Sequence, residues 1–408
     1  MFEEFIQGQP TVFTSNSLQN TQLIAQLIVD ENSGNHSVSI TSPSPLMCGS
    51  NICSIDLTFH DNDINLELSV NVNSSSIVEV KGLLSQMSYS TLNYRVNKFL
   101  YILPNSGDRN FVHNNLSWVS TLNCTFNMYK DSVEVLLPQT VCLNDSQYLE
   151  LNNHVDEQIK ILGTMLTFCR STTVEWESRY SFYEDNKVAF EYIKSRSNEK
   201  FSNQINPLRR DEASWKEFIL HCMTSNLTMK KLLDLGVYQA IGNLRMTPII
   251  DEWSLIRLVA ALEGLVLPQE TVIPEAHWKR LRRDFVRQVE ISLSLNTRQE
   301  IIDCIITNIN NSDRTINQQS LKNRIKHSME VLHLASYYER EEKSINKIIN
   351  SRNRVVHTGW DRDLDEPIWD MIVAMRNANY LLVMSKLNYR GVFWFCFDEQ
   401  KQTVENYV

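Results

Sequence analysis

The stretch SIDLTFHDNDINLELSV, residues 54–70, sets the character of the first half of the chain. On either side of the polar run His60-Asp61-Asn62-Asp63, apolar residues alternate with polar ones. Ile55, Leu57 and Phe59 precede the run, and Ile64, Leu66, Leu68 and Val70 follow it. A period of two places the apolar side chains of a strand on one face. Clustered turn formers between two such runs mark a tight connection. The segment predicts two half-buried strands, 54–59 and 64–70. Further strands are expected at Lys98–Leu103, Thr125–Tyr129 and Ser132–Leu137, the last two joined at Lys130-Asp131. Short strands with polar turns at this spacing predict an antiparallel sandwich or barrel-like domain.

Downstream, apolar residues at 155, 159, 162, 165 and 166 predict a helix over Val155–Phe168. A hairpin is expected next, with strands Thr172–Phe182 and Val188–Ile193 around a turn at Glu184-Asp185-Asn186. Its aromatics (Trp176, Tyr180, Phe182, Tyr183, Phe190, Tyr192) suit a sheet surface. They are read as packing against the neighbouring helix in preference to forming a ligand platform. From Ser195 to Arg210 the composition turns polar, with Asn206-Pro207 as a breaker, so the domain boundary is placed at 205/206.

Beyond that boundary everything reads helical. The expected helices are Ser214–Ser225, Met229–Asn243, Glu252–Leu267, Glu275–Leu293, Thr297–Asn308, Gln318–Tyr338, Ser344–Thr358 and Pro367–Leu387. The strongest periodicity, Leu255, Ile256, Val259, Leu262 and Val266, is one face of a buried helix. The fold class is α+β: a mainly antiparallel β domain at 1–205 followed by an all-α bundle at 206–408.

A chain of 408 residues exceeds one ordinary core, and 42% hydrophobic with 21% charged residues is globular composition. The net charge of −9 argues against a surface given over wholly to nucleic acid, while leaving room for a local basic patch. Eight scattered cysteines without a C-x-x-C pair read as reduced thiols. With no apolar run of membrane-spanning length and no secretory leader at Met1–Gly8, the expected compartment is the cytoplasm.

Chemistry concentrates in six residues, Arg352-Asn353-Arg354-Val355-Val356-His357. On a helix running to a stop at Gly359, Ile345, Ile348, Ile349, Val355 and Val356 form one apolar stripe with Arg352 in its middle. A guanidinium on such a face is expensive unless it is paired or used. Asn353 and His357 fall one turn apart at the stripe's edge. His357, in the last turn, faces carbonyls that favour a cationic imidazole. Fixed positive charge beside a group that exchanges protons near neutrality is what RNA cleavage without a metal requires.

The string resembles the R-[polar]-x-x-x-H signature of HEPN-domain ribonucleases, and it falls late in a helical domain as it does in that family. Leu258-Val-Ala-Ala-Leu-Glu-Gly-Leu is similar to the first core helix of many HEPN proteins. The two-part layout, and the aromatic hairpin around Met165–Tyr192, resemble the ApeA-like anti-phage defence proteins. The resemblance covers roughly residues 210–390, and for 1–205 it rests on layout.

What the resemblance implies is an endoribonuclease that needs no metal or other cofactor, a hydrolase of abortive infection. It would work as a homodimer whose motif-bearing helices meet in a composite RNA cleft, answering a phage-derived trigger. Arg352, Asn353 and His357 would be its catalytic residues. Glu263 is read either as a partner for Arg352 or as a plain flank residue. Lys279, Arg280, Arg283 and Arg287, three of which share a helix face, read either as a solvated helix face or, together with Arg354, as a track for the RNA backbone. Lys322, Arg324 and Lys326 form a weaker basic cluster, and the histidines show no metal-ligand spacing. The alternative is a non-catalytic HEPN-type module for dimerisation or nucleotide binding.

Overall fold

The structure is a computed structural model. It describes residues 11–15, 21–29, 36–41, 54–61, 64–75, 79–91, 95–103, 116–129, 132–142, 145–170, 173–193, 208, 212–245, 252–266, 274–293, 298–311, 320–358, 368–395 and 401–404. Certain side chains within these elements, among them those of 353–358, are not described. The Asn206-Pro207 breaker, the Lys130-Asp131 turn, Gly359 and the N-terminal residues 1–8 lie outside the described residues. The architecture is α+β, antiparallel sheet first and helices after.

The strands begin earlier and number more than the alternation at 54–70 indicates. β1 (Thr11–Ser15), β2 (Thr21–Val29) and β3 (His36–Thr41) precede β4 (Ser54–Asp61), β5 (Ile64–Ser75) and β6 (Glu79–Thr91). β4 and β5 pair from Ser54↔Asn71 to Asp61↔Ile64, so the strands run through half of the expected turn and leave 62–63 as the connection. The order β3-β2-β1-β4-β5-β6 returns on itself, because residues 79–83 of β6 pair with β3. Six antiparallel strands thus close a ring, which removes the exposed edges an open sheet would present. Ile55 and Leu57 point inward and pack with Phe13, Leu23, Ala25, Val38, Ile40, Leu68 and Val70, as the period of two requires.

β6 is the hinge of the architecture. Its later residues, 86–90, leave β3 and pair with β12 (Asn186–Ile193). From there the same twelve-stranded sheet continues through β11 (Ser178–Tyr183), β7 (Arg95–Ile102), β10 (Ser132–Cys142), β9 (Thr125–Met128) and β8 (Leu116–Val119). Phe190 and Tyr192 of β12 belong to the barrel's own core cluster, with Tyr180 packed against it. The hairpin aromatics were expected against a helix. These three fill the barrel instead, because β12 is paired onto a barrel strand. Trp176 meets Tyr101 edge-on at 5.7 Å.

α1 (Ser146–Arg170) begins well before Val155, since the Asp145 carboxylate accepts a hydrogen bond from the Gln147 amide at 3.0 Å and caps its first turn. Two compact units divide at Asp234/Leu235, beyond the composition change at 206. α2 (Glu212–Thr224) and α3 (Met229–Asp234) belong to the first unit. Phe218 packs on Phe168 at 5.4 Å, and the Glu157 carboxylate accepts from the Met229 amide at 2.9 Å. Helical composition reports the local conformation, whereas unit membership follows what the apolar face meets.

The second unit holds α4 (Val237–Leu244), α5 (Glu252–Leu265), α6 (Glu275–Leu293), α7 (Gln299–Asn311), α8 (Leu321–Val331), α9 (Ala335–Thr358) and α10 (Ile368–Lys386). Two expected helices are broken. Met229–Asn243 is interrupted at Gly236, whose φ of 71° only glycine adopts cheaply. Gln318–Tyr338 ends at His333, with φ 61°. The Leu334 amide there bonds back to the Met329 carbonyl, and His333 to Glu330, a left-handed helix stop made without glycine. α9 then runs unbroken through residues 339–343. A short ladder of β13 (Val392–Trp394) and β14 (Lys401–Thr403) follows the helices, with Phe395 5.6 Å from Tyr337 of α9.

Candidate functional site

α5, α9 and α10 form the core that positions the motif. Beyond its exposed first turn α10 has no solvated face: Met371, Ile372, Met375, Ala378, Leu381, Leu382 and Met384 are buried, and so are its polar residues Arg376, Asn377, Asn379 and Ser385. The fully buried Asn379 amide donates to the Leu258 carbonyl of α5 at 3.1 Å and to the Met375 carbonyl at 2.9 Å. The Tyr337 hydroxyl of α9 donates to the Ala374 carbonyl of α10 at 2.7 Å. Two buried hydrogen bonds, each worth about 1 kcal/mol and more costly to break than to form, thus fix α10 against both neighbours.

On α9 the stripe is oriented as its periodicity requires, with Ile345, Ile348 and Ile349 buried. Arg352 continues this face. Its side chain is 29% exposed and Nη2 lies 3.6 Å from Oε1 of Glu263 on α5, itself 37% exposed. Of the two readings of Glu263, the geometry is that of a partner. The preceding residue, Ser351, is buried, so the helix lies close to its neighbours at this point.

The last turn of α5, which carries Glu263, is met by a glycine junction. A Cβ on Gly236 would collide with the Gly264 carbonyl, so the junction before α4 approaches the last turn of α5 at backbone distance. The close approach requires glycine at 236, whereas a Cβ at Gly264 would stand 3.7 Å from the Gly236 carbonyl, in ordinary contact. The acid of the Leu-Glu-Gly run pairs with Arg352 of α9.

Asn353, Arg354 and His357 lie on the last two turns of α9, and the helix continues to Thr358. Their side chains are outside the described ones. Of the motif, Arg352 and Glu263 are brought together. The basic track is elsewhere in the unit. Lys279, Arg280, Arg283 and Arg287 are exposed on α6, none of whose described side chains is buried. Arg283 Nε donates to the Lys279 carbonyl at 3.3 Å. Leu281, Phe285 and Ile291 of the same helix are also exposed. Lys322 of the weaker cluster is drawn to Glu342 at 3.5 Å.

The sequence reading passed over Arg376-Asn377-Ala378-Asn379 on α10, where Arg376, Asn377 and Asn379 are buried. Arg376 Nη1 donates to the Tyr380 hydroxyl at 3.4 Å. The available signal was three polar residues within four positions of an otherwise largely apolar helix. Among the described residues, no group of three or more His, Cys, Asp or Glu side chains is gathered as a metal site would need. No described helix is long and apolar enough to cross a membrane. Cys124, Cys169 and Cys222 are buried free thiols, and burial, with Cys169 nearby, pushes the Cys222 thiol well up.

No family model, curated protein or solved structure matches the chain. The site is therefore defined by its own residues: a half-buried arginine on an apolar helix face, an acid opposite it, and an amide and an imidazole on the following turn.

Proposed function

We propose that the chain is a metal-independent endoribonuclease of HEPN type, acting in the cytoplasm in anti-phage abortive infection. The cellular setting rests on the resemblance alone. The observation that supports the chemistry is Arg352, a guanidinium on an apolar helix face that keeps part of its surface in solvent. A guanidinium on that face that still reaches solvent could meet a phosphate without first being uncovered.

In this reading two copies pair through α9, each supplying half of one cleft. The ribose O2′ of the RNA attacks the adjacent phosphorus and the P–O5′ bond breaks. The products are a 2′,3′-cyclic phosphate and a 5′-hydroxyl. His357 of the two copies carries the proton from O2′ to the leaving O5′, a step worth typically 10²–10⁴ in rate. Arg352 stabilises charge building on the phosphoryl oxygens. Asn353 orients His357 or bonds a phosphate oxygen. DNA lacks the attacking hydroxyl, so the substrate is RNA. Lys279, Arg280, Arg283, Arg287 and Arg354 hold its backbone, and the first unit senses the phage-derived trigger.

A second reading draws on the same ion pair. Glu263 already neutralises Arg352, as a non-catalytic dimerisation or nucleotide-binding module would need. One experiment separates the two: RNA cleavage in EDTA by the wild type and by His357→Ala, each checked for fold by circular dichroism. The nuclease reading expects a loss of about 10²-fold or more in a folded variant. Undiminished cleavage by His357→Ala ends it, and a wild type that cuts no RNA with any phage trigger supports the module.

A further inference from the structure

α6 shows water an apolar strip and a row of cations together. Leu281, Phe285 and Ile291 are 49%, 58% and 55% exposed, and no described side chain of the helix is buried. Scattered apolar residues are ordinary on a surface. Leu281 and Phe285, however, stand one turn apart beside Trp278, so they form a continuous strip.

The strip lies next to the helix's inner face and is not part of it. Trp278, Arg282, Val286, Val289 and Leu293 are half-buried and share one side of α6. The chief packing partner of α6 among the described elements is α7, of whose described side chains only Ile302 is buried. A narrow seam therefore joins the two helices, and Leu281 and Phe285 border it on the solvent side.

Charge decides what can cover the strip. From Lys279 to Arg287 five cations meet a single acid, Asp284, which gives this segment +4 in a chain of net charge −9. Arg280 and Arg282 flank Leu281 and Phe285 on opposite sides, while Lys279, Arg283 and Arg287 lie on the far side of the helix. A second copy of α6 laid on the strip would bring like charges together. An RNA backbone satisfies the cations but has nothing apolar to offer Leu281 and Phe285.

An anionic bilayer meets both needs. Its acyl chains take the strip, and its acidic headgroups take arginines whose long stems reach past the apolar side chains. Low net hydrophobicity, a cationic polar face, and Trp, Phe and Leu beside one another are the marks of a helix lying in the plane of a membrane. α6 is not apolar enough to cross one, so the contact is with a single leaflet.

We propose that α6 docks the chain on an anionic lipid bilayer. Leu281 and Phe285 enter the boundary between headgroups and acyl chains, and the flanking arginines meet lipid phosphates. Arg280, assigned above to RNA, then serves both ligands, so bilayer and RNA compete for α6. The docking stands whether or not the chain cleaves RNA.

Co-sedimentation of the full chain with vesicles tests it, using phosphatidylcholine alone and phosphatidylcholine mixed with phosphatidylglycerol. The expected result is binding to the anionic vesicles that falls as salt is raised, and none to the neutral ones. Phe285→Ser and Leu281→Ser alter exposed positions without touching a charge. Each should weaken vesicle binding about tenfold or more, with the circular dichroism spectrum and any RNA binding as in the wild type. A chain that binds these vesicles and no RNA supports the docking and counts against the nuclease reading alone. No binding to anionic vesicles, or equal binding to neutral ones, would overturn the proposal. So would anionic binding unchanged in both serine variants, which marks a cation patch for RNA only.

Discussion

Arg179 in the first unit and Arg352 in the second are both arginines on faces that should be apolar, and they are handled in opposite ways. The Arg179 side chain is 6% exposed and meets Glu191 at 2.6 Å, Asn152 at 2.7 Å and Asp156 at 3.2 Å. Its guanidinium also lies over Phe99 and Tyr101, 5.3 and 5.9 Å from the ring centroids. Carboxylates around it and the Tyr101 hydroxyl keep it charged despite burial. Arg352 has 29% of its side chain in solvent and a looser carboxylate at 3.6 Å. A charge enclosed on all sides ties elements together, whereas Arg352 keeps nearly a third of its side chain in solvent. The contrast separates a strut from a candidate working group.

Breaking the strut should have the largest effect on stability. Arg179→Met removes the charge-assisted hydrogen bonds of a buried guanidinium to Glu191, Asn152 and Asp156. Such bonds are worth about 1.5–3 kcal/mol each. The two carboxylates are about a third exposed, which reduces the expected loss to about 3–5 kcal/mol. Denaturant unfolding measures it, and a loss below about 1 kcal/mol would erase the distinction between the two arginines. Gly236→Ala comes next, at about 2–4 kcal/mol, because it combines a strained φ with a backbone collision. It displaces the turn carrying Glu263 without altering any charge, so it asks whether the arginine–acid geometry depends on the glycine junction. Arg352→Ala should change stability by only about 0–1 kcal/mol, since the pair is a third exposed and screened by solvent. On the nuclease proposal the same variant loses RNA cleavage and relieves any toxicity on expression. A destabilisation matching that of Arg179→Met would make Arg352 a strut as well and favour the module reading.

The smallest effect is a pH slope. His154 titrates lower in the folded chain than its ordinary 6.5, with burial as the cause. The unfolded chain therefore takes up a proton that the folded chain resists. The contribution is complete above about pH 6.5 and is lost as pH falls through the folded value. Melting temperatures of wild type and His154→Gln should converge as pH drops below 6.5. A slope identical in both proteins would remove His154 as its source.

Legibility tracks the range of the interactions. Ile55, Leu57, Leu68 and Val70 could be assigned to one face because alternation is local, and they line the barrel as expected. The stripe on α9 and the place of Arg352 within it were readable for the same reason. The stop at His333 was not, because a left-handed stop without glycine leaves no compositional mark. β1–β3 were missed although Thr21–Val29 and His36–Thr41 pair with one another, and the three polar residues Arg376, Asn377 and Asn379 on α10 drew no notice in a largely apolar helix. The Arg179 cluster gathers Tyr101, Asn152, Asp156 and Glu191 from four elements, and no spacing in the chain announces it.

The sequence by itself determined the two-part α+β character, the inward faces of the strands and helices, and the placing of Arg352-Asn353 and His357 on consecutive turns. These follow from the repeat of each regular structure, which any short window displays. Only the tertiary structure decided that β3 returns to β6 and closes the barrel, that α2 and α3 join the first unit, and that Glu263 faces Arg352. Those outcomes depend on register and burial between residues far apart in the chain, where many pairings satisfy the same local pattern and packing selects one.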